Sequence, residues 1–237
     1  MNKKIIFKTK NNVYSIYIEP NSIIKNLNKI ISKKEKIIFL VDKKVFYIFK
    51  KLKNFKEQDY ILINCSEKLK SFYNYAKLSE KILSLGIDRN TTIVAIGGGT
   101  LGDLSGFIAS TILRGVDLII FPTTLLSQVD SSIGGKNGIN TKNGKNLVGT
   151  FYQPKSVFID PEILSSLNKR EVLSGYAEIV KHAIINDQKF FQWLEKNSNR
   201  ILNLDNKLIT QAIYKSILIK QRYVLKDEKE KLKNIHS

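Results

Sequence analysis

The sequence predicts an α/β fold: a Rossmann-like parallel sheet followed by a helical segment. Three observations carry this. Short apolar runs alternate with stretches of helical period, the rhythm of crossover-linked parallel strands. One of those runs leads straight into Gly97-Gly98-Gly99. Of thirteen glycines, only Gly175 lies beyond residue 149, so the character of the chain changes along its length.

Each element follows from its own residues. Residues 1–18 alternate loosely through Ile5, Phe7, Val13, Ile16 and Ile18, which predicts a β-hairpin with Asn11-Asn12 at its turn. Residues 21–31 read as a short helix. Ile37 to Val41 is a continuous apolar run that stops at Asp42, the pattern of a strand buried on both faces. Residues 43–53 read as helical, and Tyr60 to Ile63 as a second buried strand. Residues 69–85 keep a helical period and end at Gly86. Thr92 to Ile96 is a third strand, 101–112 a helix, and Val116 to Phe121 a fourth strand. Right-handed crossovers are expected between them. The polar, glycine-rich stretch 127–150 reads as a long functional loop. Helices are expected over 170–186, 188–197 and 206–232. We expect a nucleotide-type α/β domain over 1–160 and a helical domain from 161 to 237.

Composition narrows the function. The chain has 237 residues, 43% of them apolar, which excludes a disordered or collagen-like chain. No apolar stretch is long enough to span a membrane, and the N-terminus lacks a signal peptide's apolar core, so a cytoplasmic protein without a membrane partner is expected. Cys65 is the single cysteine, which excludes an internal disulfide and a cysteine zinc cage. The net charge of +18 suggests nucleic acid at first sight. Only five of the 39 basic residues are arginine, however, and the lysines are scattered. Arginine is the usual reader of phosphate forks and base edges, so no nucleic-acid partner is expected.

Five features carry chemistry. Gly97 to Asp103 joins a strand to a helix, where glycines let a ligand approach the backbone and the helix N-terminus attracts phosphate. A tight turn without a ligand is the alternative. Pro122-Thr123-Thr124 follows a strand, where open α/β sheets bind ligands. The stretch 127–150 holds Asp130, Lys136, Lys145 and Asn146. Glu178, Lys181 and His182 share one helix face; Glu178 and His182 can chelate a metal, or Glu178 can simply pair with Lys181. Lys220 falls on the apolar stripe of Ile209, Ile213, Ile217 and Val224, so it either snorkels to water or meets an anion inside.

These motifs together resemble 3-dehydroquinate synthases. The resemblance rests on Gly97-Gly98-Gly99-Thr-Leu-Gly-Asp, Leu113-Arg114-Gly115, Pro122-Thr-Thr-Leu-Leu, Gln128-Val-Asp-Ser-Ser-Ile-Gly-Gly-Lys136, Gly144-Lys-Asn and Gly175-Tyr-Ala-Glu-Ile-Val-Lys181. It implies an NAD-binding domain followed by a helical metal and substrate domain. It implies catalytic NAD and a divalent metal, zinc or cobalt. The implied reaction converts 3-deoxy-D-arabino-heptulosonate 7-phosphate, a sugar acid phosphate, to 3-dehydroquinate and phosphate in the shikimate pathway. A related carbocycle-forming synthase and a polyol dehydrogenase of the same superfamily are the alternatives.

The resemblance also implies roles residue by residue. Asp42 would meet the adenosine ribose. Cys65, Ser66, Glu67, Lys68, Leu69 and Lys70 match a cofactor-binding stretch in which Ser66 replaces a usual glycine. Gly99, Thr100, Leu101, Gly102 and Asp103 match the pyrophosphate loop, and Thr123, Thr124, Lys136 and Lys145 match further cofactor contacts. Ile163, Leu164, Ser165 and Ser166 match a short cofactor-contacting run. Arg114, Asp130, Lys136, Lys145, Asn146, Lys181, Lys220 and Glu230 match substrate-pocket positions, and Glu178 a metal ligand. The family's two further metal ligands are histidines of a downstream motif, of which Asn234-Ile235-His236-Ser237 is a faint echo; His182 is not a ligand position there. The chain thus reads as truncated by about 100 residues on the roughly 350-residue scale of a two-domain enzyme. Little activity alone is expected, with a complementing C-terminal fragment or a second copy as possible partners.

Overall fold

The computed structural model describes residues 2–9, 12–32, 35–52 and 55–227. Its strands are β1 (Lys3–Lys8), β2 (Val13–Ile18), β3 (Ile37–Asp42), β4 (Asp59–Ile63), β5 (Thr92–Gly97), β6 (Asp117–Pro122), β7 (Lys136–Thr141), β8 (Gly144–Phe151) and β9 (Ser156–Ile159). Seven form one sheet in the order β1-β2-β9-β6-β5-β3-β4, all neighbours parallel except the β1–β2 hairpin. β3 and β5 are buried at every position, which is why their sequences are unbroken apolar runs. The hairpin's predicted turn includes Asn11, which lies outside the described residues.

The helices of the α/β part are α1 (Ile23–Ile31), α2 (Phe46–Phe49), α3 (Phe72–Leu83) and α4 (Gly99–Thr111). The helix expected over 43–53 is shorter than that: a 3-10 turn at Lys43–Val45 leads into α2. The helix expected from residue 69 begins at Phe72, because Ser71 caps it by accepting the Asn74 N–H at 3.3 Å. That leaves Leu69 and the buried Lys70 in the preceding turn, facing the sheet's carboxyl edge.

Two findings correct the sequence reading. β9 had no signal of its own, being only four residues long. It nevertheless joins the N-terminal hairpin to β6. Residues 127–150, expected as a loop, hold a π-helical turn (Ser127–Ser131) and the β7–β8 hairpin. The hairpin meets α4 at Gly106, where a Cβ would sit 1.8 Å from the Asn137 side chain. Its own strands close through glycines too: a Cβ at Gly149 would sit 2.0 Å from the Asn137 carbonyl. No hydrophobic period marks such a contact.

The helical part holds α5 (Lys169–Asn186), α6 (Gln188–Leu202) and α7 (Asn206–Lys226). Each begins at a side-chain cap, from Asn168, Asp187 and Asp205 respectively. The part of the last helix expected over 228–232 lies outside the described residues. Gly175 is the seam: a Cβ there would stand 2.5 Å from Leu125 Cβ and 2.6 Å from the Leu126 nitrogen. α5 therefore lies directly on the backbone that follows β6. At the far side, Gln221 of α7 donates from Nε2 to the Ile6 carbonyl of β1 at 2.7 Å.

Candidate functional site

The carboxyl ends of β3, β5 and β6 open into a cleft of ≈ 420 Å³. Strand order reverses direction between β3 and β5, the place where open α/β sheets bind ligands. Asp42 ends β3 there, buried, and its Oδ1 accepts the Lys44 N–H at 3.1 Å. Gly98 enters α4 in an extended conformation, and no side chain caps that helix. Its first N–H groups are left for an anionic ligand. The glycines are required for space. A Cβ at Gly97 would stand 2.7 Å from Leu101, and one at Gly99 would stand 2.6 Å from Ser131 Oγ.

The cleft walls are fixed by hydrogen bonds. Thr124 Oγ1 and Ser127 Oγ are 2.8 Å apart. The fully buried Gln128 donates from Nε2 to the carbonyls of Pro122 at 3.2 Å and Asp160 at 3.0 Å, tying the π-turn to the ends of β6 and β9. Cys65 faces Asp42, and burial with that carboxylate pushes its thiol up, so it is no nucleophile. Lys70 Nζ meets Asp103 at 2.5 Å and also the Asn146 side chain, while Asn140 Nδ2 donates to Glu67 at 2.8 Å. These bonds clamp the β7–β8 hairpin onto one rim. Burial outweighs the Lys70 ammonium and pushes the Asp103 carboxyl up to about 6.

The deeper end is a cluster of lysines and carboxylates. Lys220, on its inward stripe, meets Asp130 at 2.6 Å. Glu178 takes contacts from Lys181 at 2.9 Å and from His182 Nε2 at 3.2 Å. The His182 hydrogen bond, with help from Lys181, brings the Glu178 carboxyl down to about 2, so it stays ionised. Lys136 lies in the same field. Burial, then Lys220 and Lys181, lower its ammonium to about 8. Donor atoms of Asp130, Glu178 and His182 all lie within 4.8 Å of one another. Asp130 also lines the cleft and so belongs to both halves of the site.

The structure therefore gathers Asp42, Cys65, Ser66, Glu67, Gly99, Thr100, Asp103, Thr124 and Asp130 on the cleft. It places Lys136, Lys181, Lys220 and Glu178 around Asp130. Leu101 and Thr123 are buried just behind the cradle, and Gly102 is in the first turns of α4. Leu69 is buried, and Lys68 lies on an outer groove with Lys70. Lys145 is exposed on the hairpin, next to Asn146. Ile163 and Leu164 are in the core, while Ser165 and Ser166 bond back into their own turn. Arg114 is exposed just beyond the C-terminal end of α4, about 20 Å from that helix's N-terminus by helix rise. Glu230 lies outside the described residues. Ser131 and Ser174 line the cleft without having been foreseen. Ser174 had a signal: with Glu171 and Glu178 it shares one face of α5.

Comparison with known proteins decides the family. A family model described as the 3-dehydroquinate synthase N-terminal part matches residues 60–174, and one described as its C-terminal part matches 175–235. The chain belongs to the 3-dehydroquinate synthase family. A 3-dehydroquinate synthase of Pelagibacter ubique is 52% identical over 167 residues, covering 70% of this chain and 45% of the relative. One of Dictyoglomus thermophilum is 48% identical over 174 residues, covering 73% and 49%. The chain thus spans about half the length of the curated relatives it matches.

Solved structures agree on the family's fold. A Streptomyces hygroscopicus 2-epi-5-epi-valiolone synthase with NAD+ and Zn2+ bound superposes with a TM-score of 0.85 at 23% identity, over 95% of this chain and 65% of that one. A 2-deoxy-scyllo-inosose synthase complexed with carbaglucose-6-phosphate, NAD+ and Co2+ gives 0.68 at 28% identity, over 94% and 66%. Among the described residues, no helix is long and apolar enough to cross a membrane.

Proposed function

We propose that this chain carries the NAD site and much of the substrate site of a 3-dehydroquinate synthase, a cytoplasmic lyase of the shikimate pathway. The reaction would take 3-deoxy-D-arabino-heptulosonate 7-phosphate to 3-dehydroquinate and phosphate. The observation that carries this reading is Asp130, shared between a glycine-walled cleft and a cluster of three lysines. The division at about residue 160 into cofactor and substrate domains belongs to the same reading.

The cleft fits NAD: a buried carboxylate at the end of β3 suits ribose hydroxyls, and the uncapped α4 suits a pyrophosphate. Bound NAD would supply the transient oxidation and re-reduction of a ring hydroxyl. The ionised Glu178 fits a divalent metal, zinc or cobalt, which would polarise that hydroxyl. The chain's own groups do the rest. Lys136, Lys181 and Lys220 hold the substrate's carboxylate and phosphate, with Lys145 and Asn146 offered from the hairpin rim. Asp130 orients Lys220, and Lys136 holds its proton less tightly than an ordinary lysine, at about 8.

Because the relatives are about twice as long, the test compares the chain alone with the chain plus a second polypeptide carrying the remaining length of the Pelagibacter relative. We expect NAD binding by the chain alone and metal-dependent phosphate release only in the mixture. Absence of NAD binding would refute the site assignment; near-normal turnover by the chain alone would refute the need for a complementing fragment.

A further inference from the structure

We infer that His182 is a positioning residue for Glu178: Ser216 fixes the imidazole, whose Nε2–H holds Glu178 Oε1, so that the carboxylate offers Oε2 alone to a cation. The inference rests on the metal part of the function proposed above. It keeps Glu178 as the ligand and leaves His182 outside the coordination sphere.

The contacts on Glu178 are one-sided. Lys181 Nζ stands 2.9 Å and His182 Nε2 3.2 Å from the same oxygen, Oε1. Their placement three and four residues on along α5 brings both to that face. A carboxylate engaged on one oxygen presents the other as a one-point ligand. Outer hydrogen bonds hold ligating carboxylates in this way.

The two partners do not contribute equally. The Lys181 side chain is 59% exposed, and holding so long a chain in one rotamer costs entropy. The His182 ring is buried and tied at both nitrogens. Its Nδ1 lies 2.7 Å from Ser216 Oγ, and Ser216 is fully buried on α7. The direction of these bonds follows from the donors. A carboxylate only accepts, so the ring proton is on Nε2. Nδ1 of the neutral ring then accepts, and the Ser216 hydroxyl donates to it. The relay Ser216–His182–Glu178 thus lets α7 set the carboxylate of α5. An ion pair along one helix needs no partner on another.

The test reads the ring proton and the metal separately. The chain has only two histidines, so His236→Gln leaves one imidazole for heteronuclear NMR. Above neutral pH that ring should carry its proton on Nε2, and adding Ser216→Ala should move it toward a mixture of tautomers. Cobalt(II) is then titrated into the chain together with the complementing polypeptide. His182→Leu should weaken cobalt binding about tenfold. His182→Gln, whose amide can donate from the place of Nε2, should recover most of it. Ser216→Ala should show a smaller loss, with Tm and NAD affinity unchanged. A wild-type ring protonated on Nδ1 alone overturns the inference. Equal losses in His182→Leu and His182→Gln overturn it too, since the donor then does not matter. Where His182→Leu misfolds, the tautomer and Ser216→Ala decide. If the wild type binds cobalt and no variant differs from it, the inference alone fails. If the wild type binds no cobalt, the metal reading fails and takes the inference with it.

Discussion

The two ends of the site are built differently. At the cofactor end, the walls close on themselves: Lys70 pairs with Asp103, Gln128 locks the π-turn, and glycines create the space. At the lysine end, α5 and α7 meet over an open cluster, and the outer faces of these helices carry the exposed Ile184, Ile185 and Leu225. A site shaped by backbone contact is complete once its strands are paired. A site shaped by long side chains on separate helices depends on how those helices are held. Binding of NAD and of metal should therefore respond to different mutations.

The strongest break of that comparison is Gly99→Val. A β-branched side chain would collide with Ser131 and cover the N-terminus of α4. NAD affinity should fall about 100-fold, roughly 3 kcal/mol, with cobalt affinity unchanged. A parallel fall in cobalt affinity would show that the two ends are one unit. The reciprocal change, Glu178→Gln, should cost about tenfold or more in cobalt affinity. NAD titrated into the same sample should bind as before.

The seam between the regions comes next. Gly175→Ala pushes a methyl into Leu125 and the Leu126 backbone, so α5 must shift. Overpacking of this kind costs about 1–3 kcal/mol. At about 2–4 °C per kcal/mol for a chain of this size, calorimetry should show a clear drop in Tm. If cobalt affinity falls with it while NAD affinity holds, the lysine end is the one that depends on helix placement.

The same contrast governs how much was legible in the sequence. β3 was readable because both its faces are buried, and Lys220 because a seven-residue spacing returned it to an inward stripe. The β7–β8 hairpin was not, because its strands close on each other through Gly138 and Gly149 and it meets α4 at Gly106, contacts that leave no periodic signal. Gln128 looked like a polar loop residue, yet its partners are carbonyls 6 and 32 residues away. Periodicity reports burial along one element; it cannot report which loop carbonyl a side chain will meet.

Protonation sharpens the comparison at the cofactor end. Folded Asp103 titrates at about 6 against an ordinary 3.8. Between those values the folded chain holds a proton that the unfolded chain has lost. Raising the pH through that window therefore lowers stability. Asp103→Asn, which still accepts from Lys70, should flatten this slope in denaturant titrations run from acid to neutral pH. An unchanged slope would show that the carboxyl is better solvated than its burial implies.

The smallest effect is expected at the lysine end, and it has the opposite sense for ligands. Lys136 is an ammonium below about 8 and neutral above, because burial and the charges of Lys220 and Lys181 oppose its proton. A bound phosphate adds negative charge beside the ammonium, so the anion binds with the protonated form and is lost as pH rises through about 8. Affinity for sulfate, a phosphate stand-in that keeps its charge over this range, should be nearly constant below neutral pH and decline across that pKa in calorimetry. Lys136→Met should bind sulfate more weakly at neutral pH and lose the inflection, while NAD affinity of the same variant stays flat with pH. An inflection that survives in Lys136→Met would assign it to another group of the cluster and remove Lys136 from the anion site.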